Sequence, residues 1–415
     1  MLKNVIIVCD YGTIEGGAAR IAHETAISLK EEGLNVIFFC AVSPVSEELQ
    51  DAGVQIVCLN QKYILHDGKI KGALRGISNK AAKREFSKLL DTLDPKETVI
   101  HVHTWTKGVS SSIFKVSEKK KFQTVITVHD YFLICPNGGL FNYPKKQICT
   151  LKPMSFSCVK CNCDARSYSQ KLFRVVRQKR QNRNIRRRKN ISYIFISDFS
   201  KREFFKRYDK IPQEKQYFLP NMVHYGKDRK RIACENNDTF LFIGGLTEVK
   251  GIRTFCEAVT KTNVKAVVIG QGILGKEPQE KHPNIEFVGW KNKAEMAEYL
   301  EKTRCLIFPS VWYEAAPLTP LEVMAYGVPV ICCADNAGSD YIQEGENGWL
   351  YQGNDANALA SVILEKSTSE NIFKASKGAF EGFQEETFSK TAHVKRLMEI
   401  YNEVITTETF HGDLR

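Results

Sequence analysis

The alternation of short apolar runs with helical patterns is the feature that most limits what this chain can fold into. Strand-like runs lie over residues 5–9, 35–39, 98–102 and 124–128, then over 239–243, 264–269, 285–288, 305–308 and 328–332. Helical periodicity fills intervals such as 18–31 and 251–260. Successive strands joined through helices pair in parallel, because a parallel neighbour needs a crossover, and the helices then cover both faces of the sheet. The 415 residues suffice for two such units, and a polar, aperiodic stretch over 221–238 separates them. The fold class expected is α/β, with two facing Rossmann-like domains, parallel sheets and a deep interdomain cleft. The units expected are 1–225, 226–388 and a C-terminal helix over 389–415 that crosses back to the first domain. Ligands of open parallel sheets bind at the carboxyl ends of the strands, so the chemistry is expected in the loops that follow them.

Charge narrows the partners. The net charge is +12, and residues 171–190 supply ten Lys/Arg with no acid, leaving the rest of the chain near +2. The chain is therefore not basic; it carries one basic helix, over 171–190. Charge runs are commonly just solvated. The sharper reading is an anionic membrane surface. Aromatic residues are not interleaved through the run, so nucleic acid ranks last and is not expected as a partner. No stretch approaches the roughly 18 uninterrupted apolar residues of a membrane span.

The first ten residues hold one Lys and a short apolar run ending in Asp10, which reads as a first strand and not as an export signal. Seven of the 13 cysteines (Cys9, Cys40, Cys58, Cys256, Cys305, Cys332 and Cys333) sit in apolar surroundings as small hydrophobes. A reducing, cytoplasmic setting follows. Cys135, Cys149, Cys158, Cys161 and Cys163 crowd a short loop, and the Cys-x2-Cys at 158–161 suits a structural zinc. No His completes a usual ligand set, and loop-stapling or inert thiols rank above a metal, so no metal ligands are assigned.

The strongest motif is a pair of glutamates eight residues apart, Glu314 and Glu322, in SVWYEAAPLTPLEVMAYGVPV. A strand ends at Pro309, the loop carries Glu314, and a helix beginning near Leu318 carries Glu322. The free N–H groups at a helix start favour an anion, and a carboxylate on either side can hold sugar hydroxyls around a bound phosphate. A second motif, FIGGLTEVKG over 242–251, places Lys250 between a strand and a helix. A third, Gly16-Gly17, lets backbone approach a ligand at a helix start. His129-Asp130 and His103 end strands of the first unit. The Gly270-Gln-Gly272-Ile-Leu-Gly275 run spells a dinucleotide fingerprint, but such a fingerprint normally opens a domain, and it is discounted.

With these motifs the chain resembles the retaining glycosyltransferases of the GT-B fold, family 4 (glycosyl transferases group 1), over nearly its whole length. The resemblance implies that Glu322 holds the ribose of a nucleotide and that Glu314, with His129, serves the reacting end of the donor sugar. It assigns the amides of Leu318 and Thr319, together with Lys250, Gly16 and Gly17, to the diphosphate. His103 and Asp130 are acceptor-side candidates. Two departures stand out: Ala316-Pro317 replaces a usual Phe-Gly, and Gly245 stands where an Arg is usual.

The activity implied is metal-independent, retaining transfer from a nucleotide-diphosphate sugar to a glycan or lipid-linked acceptor, in cell-surface polysaccharide or glycoconjugate synthesis. The nucleotide sugar is a substrate and no cofactor is expected. No Asp-x-Asp occurs, so the metal clamp usual in the other glycosyltransferase fold is absent from the sequence. The alternatives are a sugar-nucleotide epimerase of the same build and a nucleotide-sugar-binding protein without transfer activity. The location expected is cytoplasmic, peripheral at the inner face of the membrane.

Overall fold

The structure is a computed structural model that describes residues 2–64, 66–186, 188–226 and 228–412. The first sheet begins with β1 (Asn4–Tyr11), β2 (Asn35–Val42), β3 (Gln55–Gln61), β4 (Thr98–Val102) and β5 (Gln123–Thr127). A two-residue hairpin, β6 (Phe141–Asn142) and β7 (Gln147–Ile148), then leaves the sheet before β8 (Ile191–Phe195) and β9 (Gln216–Phe218) rejoin it. The order is β3-β2-β1-β4-β5-β8-β9, every pair parallel. The second sheet holds β10 (Thr239–Ile243), β11 (Ala266–Ile269), β12 (Glu286–Gly289), β13 (Thr303–Phe308), β14 (Val330–Cys333) and β15 (Gly348–Tyr351). It too is wholly parallel, ordered β12-β11-β10-β13-β14-β15.

The central strands are covered on both faces, which is why they read as unbroken apolar runs. Val5 to Asp10 of β1 and all of β4, β5 and β14 are buried. Strands without such a run escape the sequence reading. The edge strands β3 and β15 are mixed in polarity or short, and β8, though internal and buried, follows directly on a run of charges.

The helix Lys390–Gly412 packs on β4, β5 and the helix Gly17–Glu31, all in the first domain. Leu397, Ile400 and Tyr401 lie in the first domain's core, and the Tyr401 hydroxyl is 2.6 Å from His101 Nδ1. The last helix of the chain thus closes the sheet that the first strand begins. Residues 413–415 lie outside the described residues.

The basic element differs from its sequence reading. The helix runs Tyr168–Ile185, shorter than 171–190 and starting earlier, with Ser167 capping its first turn. Arg187 lies outside the described residues. Its inner face is polar. Lys171 is fully buried with Nζ 3.1 Å from Cys163 Sγ and 3.6 Å from Cys158 Sγ. Arg174 reaches the buried Asp164, at 3.0 Å, and Arg177 donates to the carbonyls of Thr106 and Pro136. The helix anchors the cysteine-rich loop from inside, and its charges are not all solvated. Its outer face carries apolar side chains: Leu172 and Val176 are 40% and 53% exposed. The reversal is possible because each buried polar group has found a partner, which burial demands. No group of three His, Cys, Asp or Glu placed to hold a metal occurs among the described residues.

If the terminal helix belongs to the first domain's core, Leu397→Ala should destabilise by about 2–5 kcal/mol, as for a fully buried leucine. Urea unfolding followed by tryptophan fluorescence would measure it; a loss below about 0.5 kcal/mol would mean that the helix is only laid on the surface.

Candidate functional site

All carboxyl ends of β10, β11, β13 and β14 open toward one edge of the second sheet, and the loops there carry the motif residues. Gly251, in the left-handed region at φ 71°, ends the short 3-10 turn Glu248–Lys250 and starts the helix Ile252–Thr262. A Cβ at Gly251 would collide with the Pro309 carbonyl, so glycine lets the Lys250 loop lie directly against the end of β13. Val311 N donates to Val249 O at 3.0 Å and locks the two loops together. Lys250 Nζ therefore meets Glu314, 2.6 Å from its Oε1. Ser310 Oγ donates to the same oxygen at 2.7 Å, and Asn336 Nδ2 holds the Ser310 carbonyl at 2.9 Å. Burial alone would raise the Glu314 carboxyl; Lys250 above all outweighs it and holds the group ionised below the usual range.

The Glu314 loop is also gripped by the first domain. Ser197 donates to the Ala315 carbonyl, and Tyr313 packs against Phe199 and Tyr131 at ring distances of 5.4 and 6.4 Å. The cysteine-rich loop touches both loops: Lys146 pairs with Glu248 of the Lys250 turn at 3.1 Å, and a Cβ at Gly139 would lie 3.1 Å from the Trp312 ring of the Glu314 loop. Leu318 and Thr319 open the helix Leu318–Met324, with Pro317 at its cap and no acid in its first turn. The Ala-Pro departure thus leaves the helix start in place.

Glu322 lies farther along the same helix and faces a cavity of about 1270 Å³ between the domains, lined also by Arg20, His224, Trp290, Lys291 and Tyr326. Neither Glu314 nor Lys250 lines it. Gly16, at φ 97°, caps the helix Gly17–Glu31 on the opposite wall without a side-chain bond, and a Cβ at Gly16 or Gly17 would meet no atom within 4 Å. Sequence reading missed Arg20. Its Nη1 donates to Glu322 Oε1 at 3.1 Å across 302 residues, and its Nε donates to Glu24 at 2.9 Å. Glu24 also binds His224. A single arginine in an amphipathic helix carries no signal at sequence level; only the fold brings it to Glu322.

His103 and Asp130 line a second, smaller cavity of about 100 Å³ with Asp10, Glu15, Trp105 and Lys107. Asp10, also unmarked in the sequence, accepts the amides of Lys107, Gly108 and Val109 at 2.7–2.8 Å and shapes that wall. His103 Nδ1 is 2.9 Å from His129 Nε2, and the His101 and His103 rings stand 4.1 Å apart. His393, from the terminal helix, completes this row of imidazoles with Nδ1 on the Pro220 carbonyl at 2.7 Å. Burial, followed by mutual repulsion, holds His101 and His103 well below their ordinary range. The same causes bring His129 to about 3, and burial brings His393 to about 4. Asp130 is shifted the other way, up to about 6, by burial.

Residues 237–367 match the family model of the glycosyl transferases group 1. An uncharacterized 41.2 kDa protein from the cps region of Klebsiella pneumoniae is 24% identical over 425 residues, covering 96% of this chain and 99% of that one. The putative colanic acid biosynthesis glycosyltransferase WcaL of Salmonella typhimurium is 29% identical over 141 residues, 30% of this chain. That stretch spans only 35% of the Salmonella protein's length. Among solved structures, Anabaena Alr3699/HepE in complex with UDP superposes with a TM-score of 0.65 over 97% of this chain and the whole of that one, at 14% identity.

The buried imidazoles set a pH dependence. They are neutral in the fold, whereas the unfolded chain protonates near pH 6.5. Stability is therefore full above pH 6.5 and falls as pH drops toward 4, by up to roughly 1.4 kcal/mol per pH unit for each group. Asp130 opposes this between about pH 6 and 4, because its folded form keeps a proton that the unfolded form has lost. Burial raises the Asp10 carboxyl as well, and it opposes in the same sense. Four bases outweigh these two acids, so the urea midpoint should fall from pH 7 to pH 5; a constant midpoint would show that the imidazoles titrate in the fold. On these findings the chain has the two-domain GT-B fold, and its second domain is similar in sequence to the glycosyl transferases group 1.

Proposed function

We propose that the chain is a retaining, metal-independent glycosyltransferase of family 4. It moves a sugar from a nucleotide-diphosphate donor to a glycan or lipid-linked acceptor in cell-surface polysaccharide synthesis. The observation that carries the reading is the Glu314–Lys250 pair, held at the carboxyl ends of β13 and β10 and pressed against the first domain. It is supported by the matched second domain, by the relatives' printed roles in polysaccharide synthesis, and by the UDP held in the Anabaena structure.

In this reading the donor's ribose hydroxyls bind Glu322 and its diphosphate faces Lys250, the Gly16-Gly17 backbone and the amides of Leu318 and Thr319. Glu314 accepts from the sugar's hydroxyls, with its charge already fixed by Lys250 so that no reorganisation is needed as the transition state forms. His129, neutral because it is buried, is suited to donate a hydrogen bond to the sugar without adding a charge. Fixed donors around the departing diphosphate stabilise the charge that develops as the glycosidic bond breaks. Its oxygen nearest the sugar takes the acceptor proton. The acceptor enters through the cavity of His103 and Asp130.

The membrane partner belongs to the same reading. On the helix Tyr168–Ile185, Lys179, Arg180 and Arg183 are exposed beside the exposed Leu172 and Val176, and the neighbouring helix Lys69–Ile77 exposes Leu74. Neither helix contains an acid. Apolar side chains among cations suit an anionic headgroup layer at the inner face of the membrane.

Three experiments test this. A thermal-shift screen of UDP-, GDP- and ADP-sugars should find one donor class that stabilises the protein by mass action. With that donor, Glu314→Gln should lower kcat by about 100-fold or more, the loss of a charged contact in the transition state; unchanged turnover would refute the assignment. Reversing Lys179, Arg180 and Arg183 to Glu should weaken flotation with anionic vesicles by about 100-fold or more, from at least ~1 kcal/mol per charge. Equal flotation of the wild-type protein with anionic and neutral vesicles would remove the membrane from the reading.

A further inference from the structure

The charges around the expected diphosphate do not balance within the second domain. Lys250 is already committed to Glu314. Position 245, in the loop after β10, is glycine, and a Cβ there would find no neighbour nearer than 3.7 Å, so the loop has room for a side chain but brings no cation. A diphosphate arriving in the cleft carries at least two negative charges, and leaving these buried without partners is costly.

A cation stands on the facing wall. Arg20 sits one turn into the helix that Gly16 caps, lines the interdomain cavity, and is held there by two carboxylates, Glu24 at 2.9 Å and Glu322 at 3.1 Å. Burial works against its charge, but Glu322 and Glu24 more than offset this and keep the guanidinium firmly protonated. Two of its five N–H donors serve these carboxylates. Glu322 is the group that the proposed function gives to the ribose. Once ribose hydroxyls take Glu322, Arg20 loses one anionic partner at the spot where the donor brings another.

We propose that Arg20 is the second cation of the donor site. It is a guanidinium from the first domain that exchanges Glu322 for the donor's phosphates, while Glu24 keeps it aimed at the cavity. This rests on the reading of the chain as a nucleotide-sugar transferase. The exchange replaces one ion pair with another, so little desolvation is added on binding, and a planar fork suits phosphate oxygens. Because Arg20 and Glu322 belong to different domains, the same exchange joins donor binding to the seating of one domain on the other.

The test is a ladder of ligands measured by titration calorimetry on the full chain: uridine, UMP and UDP, with the guanosine and adenosine series in parallel. In the base series that binds, Arg20→Ala should weaken the diphosphate by about tenfold or more, the worth of a charge-assisted hydrogen bond. The nucleoside should change by less than about twofold, since it has no phosphate for Arg20 to hold. Restoring a cation in the double variant Arg20→Ala, Gly245→Arg should recover diphosphate affinity selectively. Equal loss for nucleoside and diphosphate would overturn the inference, because Arg20 would then act only by placing Glu322. No loss at all would overturn it as well. Should the wild-type chain bind no nucleoside diphosphate of any base, the nucleotide-sugar reading itself falls, a result independent of the Arg20 variants.

Discussion

Parallel pairing is the constraint on which this molecule depends. A parallel ladder sends every strand's carboxyl end to the same edge, and each return crosses the sheet through a helix. In the second domain that rule delivers the Lys250 loop and the segment of Glu314 and Glu322 to one rim, although 64 residues separate Lys250 from Glu314. In the first it delivers Asp10, His103 and His129 to another. Facing the two rims makes the cleft.

Closure of the first domain comes from the last helix of the chain. Tyr401 and His393 reach the buried row of imidazoles from outside the sheet, so the chain's far end helps to decide the protonation of its candidate site. The cost of holding four imidazoles neutral is met by the apolar core around them. Within the row, His101 meets the Tyr401 and Thr127 hydroxyls and His103 meets His129.

Buried charge is used in two contrasting ways. Around Lys171 it is structural: an ammonium tucked under the cysteine-rich loop, with thiols for neighbours, ties the basic helix to the wall beside Trp312. At the cleft the charged pairs differ in reach. Lys250–Glu314 lies within one domain, whereas Arg20–Glu322 spans two, so one pair sets local geometry and the other joins the halves.

Local chemistry made much of this legible beforehand. Apolar runs marked the doubly covered strands, and the Glu-x7-Glu spacing, the Gly-Gly pair and the strand-to-helix position of Lys250 marked the residues that the proposed function gives to a donor, since each depends on neighbours within one loop. The edge strand β3 gave no such signal because a partly exposed segment needs no apolar run. Residues 171–190 misled, because charge in a sequence looks solvated, whereas Lys171 and Arg177 are buried against partners up to 71 residues away. By itself, then, the sequence determined the parallel α/β plan and the residues offered at each strand end. Only the tertiary structure decided which of them meet: Lys250 with Glu314, Arg20 with Glu322, His103 with His129. Such pairings are contacts between distant segments, and no periodicity within one segment encodes them.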